Sequence, residues 1–362
     1  MVQGLMWILA VCAIAGGVDH ILGDRFGLGD KFAQACMLMG PTALSMAGIL
    51  CLAPLLAEGI EHTLSPLYRR MGLDAGTLGG ILAIDMGGYP LAVSLARAPE
   101  VGRYAGIIVA STFGCTVTFT IPVGMGMLKD DARTDFSRGM LYGLTALPAA
   151  LLLGGLLSGL KPLAWLWQSL PLLLLSALVL LGLRRFTDGM IRGFSAFAKL
   201  LSALATLGLA LGAAQMMTGV RWISNLAPVE DGMAVVASIA VMMLGSLPFA
   251  ELLKRLLKRP MARVGRATGM NGAGVAGLLI GMVSVMPAIA LVKDMDRRSR
   301  IVNAAAMVCS ASALAAHLGF AAGVDRAMIL PMLAAKLAGG VLGAALALIM
   351  TGKAKSSDPI RP

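Results

Sequence analysis

The sequence predicts an all-α polytopic membrane protein of about eleven membrane segments arranged as two five-segment inverted repeats, each with a broken or re-entrant helix. Three observations carry that prediction. The 362 residues are 58% hydrophobic and only 14% charged, with mean hydropathy +0.83, so the chain exposes more apolar surface than a soluble domain can bury. The apolar residues fall into runs of roughly 20, the length that crosses a hydrocarbon core about 30 Å thick. Two of those runs are interrupted by glycine and proline steps and occupy corresponding places in the two halves of the chain.

Taken in order, the expected segments are 2–22, 34–57, 75–96, 104–128, 139–160, 165–183, 197–217, 233–250, 269–292, 301–323 and 327–350. The first has no Lys or Arg before it, lacks the basic start of a signal peptide, and is expected to be a retained helix. Connectors are short and charged, without low-complexity linkers, so no separate soluble domain is expected. The expected organisation is a first transmembrane repeat over 1–162, a linking helix and cytoplasmic loop over 163–195, a second repeat over 196–351, and a disordered tail over 352–362. The net charge of +11 sits between the apolar runs, where lipid headgroups and the positive-inside rule account for it, so nucleic acid is not an expected partner. Cys12, Cys36, Cys51, Cys115 and Cys309 lie in apolar runs without CxxC spacing and suggest neither disulfides nor a metal site. The 25 methionines read as packing filler.

The repeat is visible as a shift of 197 residues, which lays GGILAIDMGGYPLAVSLA from Gly79 onto AGLLIGMVSVMPAIALVK from Ala276. Gly80 then falls on Gly277, Pro90 on Pro287 and Thr120 on His317. A slightly smaller shift pairs Pro54 with Pro248 and Pro66 with Pro260. Charge gives the orientation. If every segment spans, the loop Lys and Arg residues show no bias between the two sides. If 75–96 and 269–292 return to the side they entered, the basic residues concentrate inside, which places the N-terminus in the periplasm and the C-terminus in the cytoplasm.

The candidate site begins at Asp85, in the stretch GILAIDMGGYPLA from Gly80. A charge at the bilayer centre costs roughly 2.5–3.5 kcal/mol, so an ionisable residue there reads as functional. At the end of a half-helix, carbonyls and the negative dipole end add to the Asp85 charge and favour a small cation. Gly87 and Gly88 let the backbone approach a ligand, and Tyr89 offers a ring face or a hydroxyl. Lys336, deep in the last segment, is a charge partner of Asp85 or a stand-in for a coupling ion. His317 suits a proton relay or a structural hydrogen bond. Thr120, Asn271 and Ser284 are candidate hydroxyl or amide ligands. Asp19 and His20, at the end of the first helix, are expected to meet headgroups. No cofactor, metal or catalytic group is expected: there is no HExxH motif and no second aspartate facing Asp85.

The chain resembles the ethanolamine permeases of the ethanolamine-utilization pathway, the EutH family. The likeness runs through Val18-Asp19, Asp85-Met86-Gly87-Gly88, Ile121-Pro122-Val123, Phe197-Ala198-Lys199, Met270-Asn271, Met295-Asp296, the run from His317 to Ala322, and Lys336-Leu337 before Gly339-Gly340. It implies uptake of ethanolamine across the bacterial inner membrane to feed a lyase. A protonated amine with a hydroxyl suits the site: Asp85 for the ammonium and Thr120, Ser284 or Asn271 for the hydroxyl. The chain departs from the family pattern at Ser284-Val285, where the family has an Asn-Asn pair, and at Ala316, where it has an aspartate. Fewer polar ligands imply altered affinity or a related amine such as choline. The expected function is ethanolammonium import by alternating access at a mid-membrane site, with a passive channel-like facilitator as the alternative. Expected partners are that amine, the lipid bilayer and, as one option, a second copy of the chain in a homodimer.

Overall fold

The computed structural model describes residues 2–82, 88–128, 130–221 and 223–352. Among the described residues the chain is helical throughout, with no strand. Lipid offers no partners to backbone N–H and C=O groups, and a helix satisfies them within one segment.

In chain order the helices are α1 (Val2–Ile21), α2 (Gly29–Met37), α3 (Met39–Thr63), α4 (Ser65–Arg70), α5 (Gly76–Leu82) and α6 (Gly88–Leu95). Then comes a rod built of α7 (Pro99–Arg103), π-helical turns over Tyr104–Gly114 and Thr116–Thr120, and α8 (Ile121–Met127). It is followed by α9 (Asp130–Leu157), α10 (Pro162–Arg185), α11 (Thr187–Thr218) and α12 (Val229–Thr268). The chain closes with α13 (Gly272–Val283), α14 (Val285–Ala290), α15 (Arg297–Ser310), α16 (Ala316–Val324) and α17 (Ile329–Thr351).

Among the described residues, 8 helical stretches are long and apolar enough to cross a membrane: Val2–Ile21, Gly29–Thr63, Pro99–Met127, Asp131–Leu157, Pro162–Arg185, Thr187–Thr218, Val229–Thr268 and Arg326–Thr351. The chain is thus a multi-pass membrane protein with fewer long spans than the apolar runs suggested. The difference has one physical source. The runs 269–292 and 301–323 are divided into shorter helices, α13 and α14, and α15 and α16, and of the run 75–96 the described residues form the short helices α5 and α6. Hydropathy counts apolar residues and is blind to a break between them.

Close backbone approach holds the spans together, as expected where lipid supplies no hydrophobic drive between helices. Gly48 of α3 and Gly208 of α11 sit face to face, so that a Cβ on either would meet the other helix's carbonyl oxygens within 2.2 Å. Gly139 and Gly143 of α9 pack in the same way on Ile301 and Ala305 of α15. Large apolar side chains such as Trp7, Ile14, Leu163 and Leu178 face outward, where the acyl chains lie.

Asp19 corrects the headgroup expectation. It is 2% exposed, and its carboxylate accepts the N–H groups of Phe26, Leu28 and Gly29 at 2.9, 2.8 and 2.9 Å. The turn between α1 and α2 leaves donors without helical partners, and a carboxylate beside them is the cheapest acceptor.

Candidate functional site

Two hairpins and two unwound stretches organise the middle of the molecule. In the first hairpin, α5 and α6 lie against each other, Gly76 touching Ala96 and Gly79 touching Ala92. Its base is tied by Asp74, whose carboxylate accepts from Gly76 N at 2.8 Å and from Arg97 N and Ala98 N, each at 3.0 Å. The chain therefore leaves and returns at one place. The second hairpin has the same plan. Asn271 caps α13 by accepting from Gly274 N at 2.8 Å, and its Nδ2 donates to Asp294 O at 2.9 Å, beyond α14.

The second hairpin turns at Ser284, which is extended at φ −154° and ψ 132°. Facing it, the chain unwinds between α15 and α16, and Ser312 takes φ +54°, a left-handed conformation that few non-glycine residues adopt. These two unwound stretches are bonded to each other: Ser312 N donates to Gly281 O and Leu314 N to Met282 O, both at 2.9 Å. Those carbonyls are last-turn acceptors of α13 that no intrahelical donor reaches. The C-terminal ends of α13 and α15, each with its partial negative charge, thus meet in the interior, opposed by the starts of α14 and α16.

A cavity of about 570 Å³ ends at this crossing. Ser284, Pro287 and Ser312 form its inner end with Cys115 and Thr118 of the π-helical rod, and Lys31, Glu251 and Lys254 also line it. A space of this size holds a small organic solute with water. Its polar groups are the hydroxyls of Thr42, Thr118, Ser284 and Ser312, the Gln34 amide, and Lys31, Lys254 and Glu251, the last paired with Lys254 and Arg255.

The predicted residues fall in several places. Asp85 and Gly87 lie outside the described residues. Gly88 is buried at the start of α6. Tyr89 is half-buried and meets the Phe320 ring edge-on, at 6.1 Å between centroids and 85° between planes. Ser284 lines the cavity. Asn271 does not; it serves as the cap and base of the second hairpin, which its apolar sequence context did not reveal. Thr120 is fully buried on the rod, and its Oγ1 has no hydrogen-bond partner among the described residues. His317 is buried at the start of α16, with Nδ1 3.0 Å from Ala311 O, so that it braces the unwound stretch. Lys336 is fully buried and donates from Nζ to Ser111 O on the rod, one turn before Gly339 and Gly340 contact Cys309 and Ser310.

Sequence reasoning missed Ser312, Thr118 and Glu251 at the cavity. The signal available was weak: a Ser-Ala-Ser step at 310–312 and alternating threonines at 116, 118 and 120 inside apolar runs. It also missed two ion pairs. Arg103 grips Asp325 through Nε at 2.6 Å and Nη2 at 3.2 Å. Arg297 and Arg300 lie 3.4 and 3.7 Å from Asp135.

Comparison with known proteins places these features in a lineage. The family model for the ethanolamine utilisation protein EutH matches residues 1–350. A protein of Listeria monocytogenes named probable ethanolamine permease EutH is 37% identical over 350 residues, 96% of this chain and 94% of that one. An Escherichia coli protein of the same name is 34% identical over 388 residues, 96% of this chain and 95% of that one. Bacillus subtilis has an uncharacterized protein, YxeR, at 37% over 351 residues, again 96% of this chain and 95% of that one. No solved structure matches.

Proposed function

The chain belongs to the EutH family, and on that premise we propose that it imports ethanolamine, as the ammonium cation, across the bacterial inner membrane by alternating access at a mid-membrane site. The observation that carries the reading is the cavity ending where the second hairpin crosses the unwound stretch between α15 and α16. Unwound backbone at membrane depth is tolerated where it is buried in protein or lines a cavity, and transporters place ligand sites at such breaks. The listerial and E. coli relatives bear the name of ethanolamine permeases, which supplies the substrate class.

In this reading the Asp85 carboxylate holds the ammonium. A hydroxyl such as that of Thr120 or Ser284 meets the alcohol end. Ser284 fits because it lines the cavity; Thr120 lies outside that lining and fits because its buried oxygen has no partner among the described residues, and such an atom is expensive alone. Lys336 supplies the opposing charge when substrate is absent.

Inverted repeats over 1–162 and 196–351, joined by 163–195, are part of the same proposal. Support comes from residues that the 197-residue shift relates. Asp74 falls on Asn271, and both tie a hairpin base. Ser111 falls on Val308; the carbonyl of Ser111 accepts Lys336 Nζ, and that of Val308 accepts Thr116 Oγ1 at 2.8 Å. Arg103 falls on Arg300, and each forms an ion pair with the other half. Pairs of this kind, one closing each side, are what rocking halves need. The bidentate Arg103–Asp325 contact is tight and the Arg300–Asp135 contact loose, matching a state open toward Lys31 and Glu251. Charge bias puts that side in the cytoplasm and the N-terminus in the periplasm.

The test is radiolabelled ethanolamine uptake into proteoliposomes. Asp85→Asn should lose uptake by about 100-fold or more, as expected for removing a buried charge partner. Uptake equal to the wild type rejects the ammonium site, and transport of choline alone moves the substrate. Thr120→Val should lower uptake by roughly tenfold while thermal stability holds or rises, because the orphaned oxygen is gone. Cysteines introduced at Arg97 and Lys293 should label from opposite sides; labelling from one side rejects the inverted arrangement.

A further inference from the structure

The sequence motifs left α12 with no role beyond spanning, yet its geometry is unusual. It has 40 residues, about 60 Å of helix, against about 30 Å of hydrocarbon. The part from Glu251 to Thr268, reading ELLKRLLKRPMARVGRAT, is both strongly basic and apolar. Between it and α13 lies a cavity of about 910 Å³, larger than the one at the crossing, with which it shares Lys254 and Ile280 at its edge.

Two walls face each other across this space. One carries Lys254, Lys258 and Arg266; the other is apolar, with Val275 and Leu279 of α13. Glu251 pairs with Lys254 and, at 2.9 Å, with Arg255. Lys258 and Arg266 have no ion-pair partner among the described residues, and both side chains are exposed to the opening. Asp296 also lines the cavity, but it accepts a hydrogen bond from Asn271 N at 3.3 Å. A soluble anion would satisfy the cations and leave the apolar wall wet. An apolar solute would do the reverse.

We propose that this cavity binds an anionic phospholipid, its phosphate headgroup on Lys258 and Arg266 and its acyl chains along Val275 and Leu279. Basic pockets between helices at the membrane surface favour such lipids electrostatically, and burial of the chains adds the apolar term. The bound lipid joins α12 to the second hairpin. The site does not depend on the transport reading.

Native mass spectrometry of the full-length chain in mild detergent, titrated with phosphatidylglycerol and with phosphatidylcholine of the same acyl chains, tests it. The wild type should retain phosphatidylglycerol roughly 30-fold more tightly, the effect of two unpaired cations. Lys258→Gln with Arg266→Gln should abolish that preference. The charge-matched pair Arg259→Gln with Arg263→Gln, on the same helix but outside the cavity, should keep it. Equal retention of the two lipids by the wild type overturns the proposal, as does a preference that survives the first pair and vanishes with the second. If the first pair fails to fold, competition on the wild type decides: millimolar inorganic phosphate should leave phosphatidylglycerol bound, and displacement by phosphate alone overturns the lipid assignment.

Discussion

The two hairpins share a plan and differ in what fastens them. At the base of the first, the Asp74 carboxylate, 7% exposed, collects three backbone N–H groups. At the base of the second, the Asn271 side chain makes neutral bonds to Gly274 and Asp294, and its N–H donates to Asp296 Oδ1 at 3.3 Å and Ser299 Oγ at 3.2 Å. The first hairpin lies on the rod by backbone approach, a Cβ at Gly80 coming within 2.3 Å of Ala105 O. The second lies on side chains of α15, Ser299, Asn303 and Met307. The lesson is that the first hairpin is fastened at its base by one carboxylate that collects three N–H groups, and the second by side chains at its base and by two backbone hydrogen bonds at its turn.

Asp74→Ala should produce the largest effect, because three backbone donors, one buried and two part-buried, lose a charged acceptor at once. A loss of about 3 kcal/mol or more is expected, read as a fall in thermal unfolding temperature in detergent. Asn271→Ala should cost about 1–2 kcal/mol; an equal or larger loss would break the contrast between the bases. Gly80→Ala comes next, at about 1–3 kcal/mol, since backbone has to shift to admit the methyl group. Gly281→Ala in the second hairpin should stay within about 1 kcal/mol, its nearest neighbour being the Met307 Cγ at 3.3 Å, a side chain able to move. Of similar size is the edge-on contact of Tyr89 with Phe320, which links the first hairpin to α16. A double-mutant cycle of Tyr89→Leu and Phe320→Leu should return a coupling of about 0.5–1.5 kcal/mol, and no coupling would mean the rings merely touch.

Much of this was legible in the sequence because a bilayer enforces simple rules. Apolar runs gave the long spans, and in the second hairpin the step from Ser284 to Pro287 marked where α13 gives way to α14, while the Gly87-Gly88 step of the first begins outside the described residues. The break between α15 and α16 was not legible. It contains Ala311 to Ala315, with neither glycine nor proline, and exists because Ser312 and Leu314 donate to carbonyls of a hairpin far away in the chain. Individual site residues were less readable still. Ser284 lines the cavity, while Asn271 fastens a hairpin, because an amide at a helix start serves a cap as readily as a ligand.

What the sequence determined alone is the solvent and the economy of the fold: an all-helical, multi-pass chain of the EutH family, with rare polar residues kept for the interior. Composition fixes that, since every backbone group in hydrocarbon must be paired within its own segment and every buried polar side chain is costly. What only the tertiary structure decided is where helices stop, that each hairpin returns to its own base, and that Ser284 and Ser312 end up facing one cavity. Those outcomes rest on hydrogen bonds between residues tens of positions apart, and no local pattern of apolar and polar residues encodes such partners.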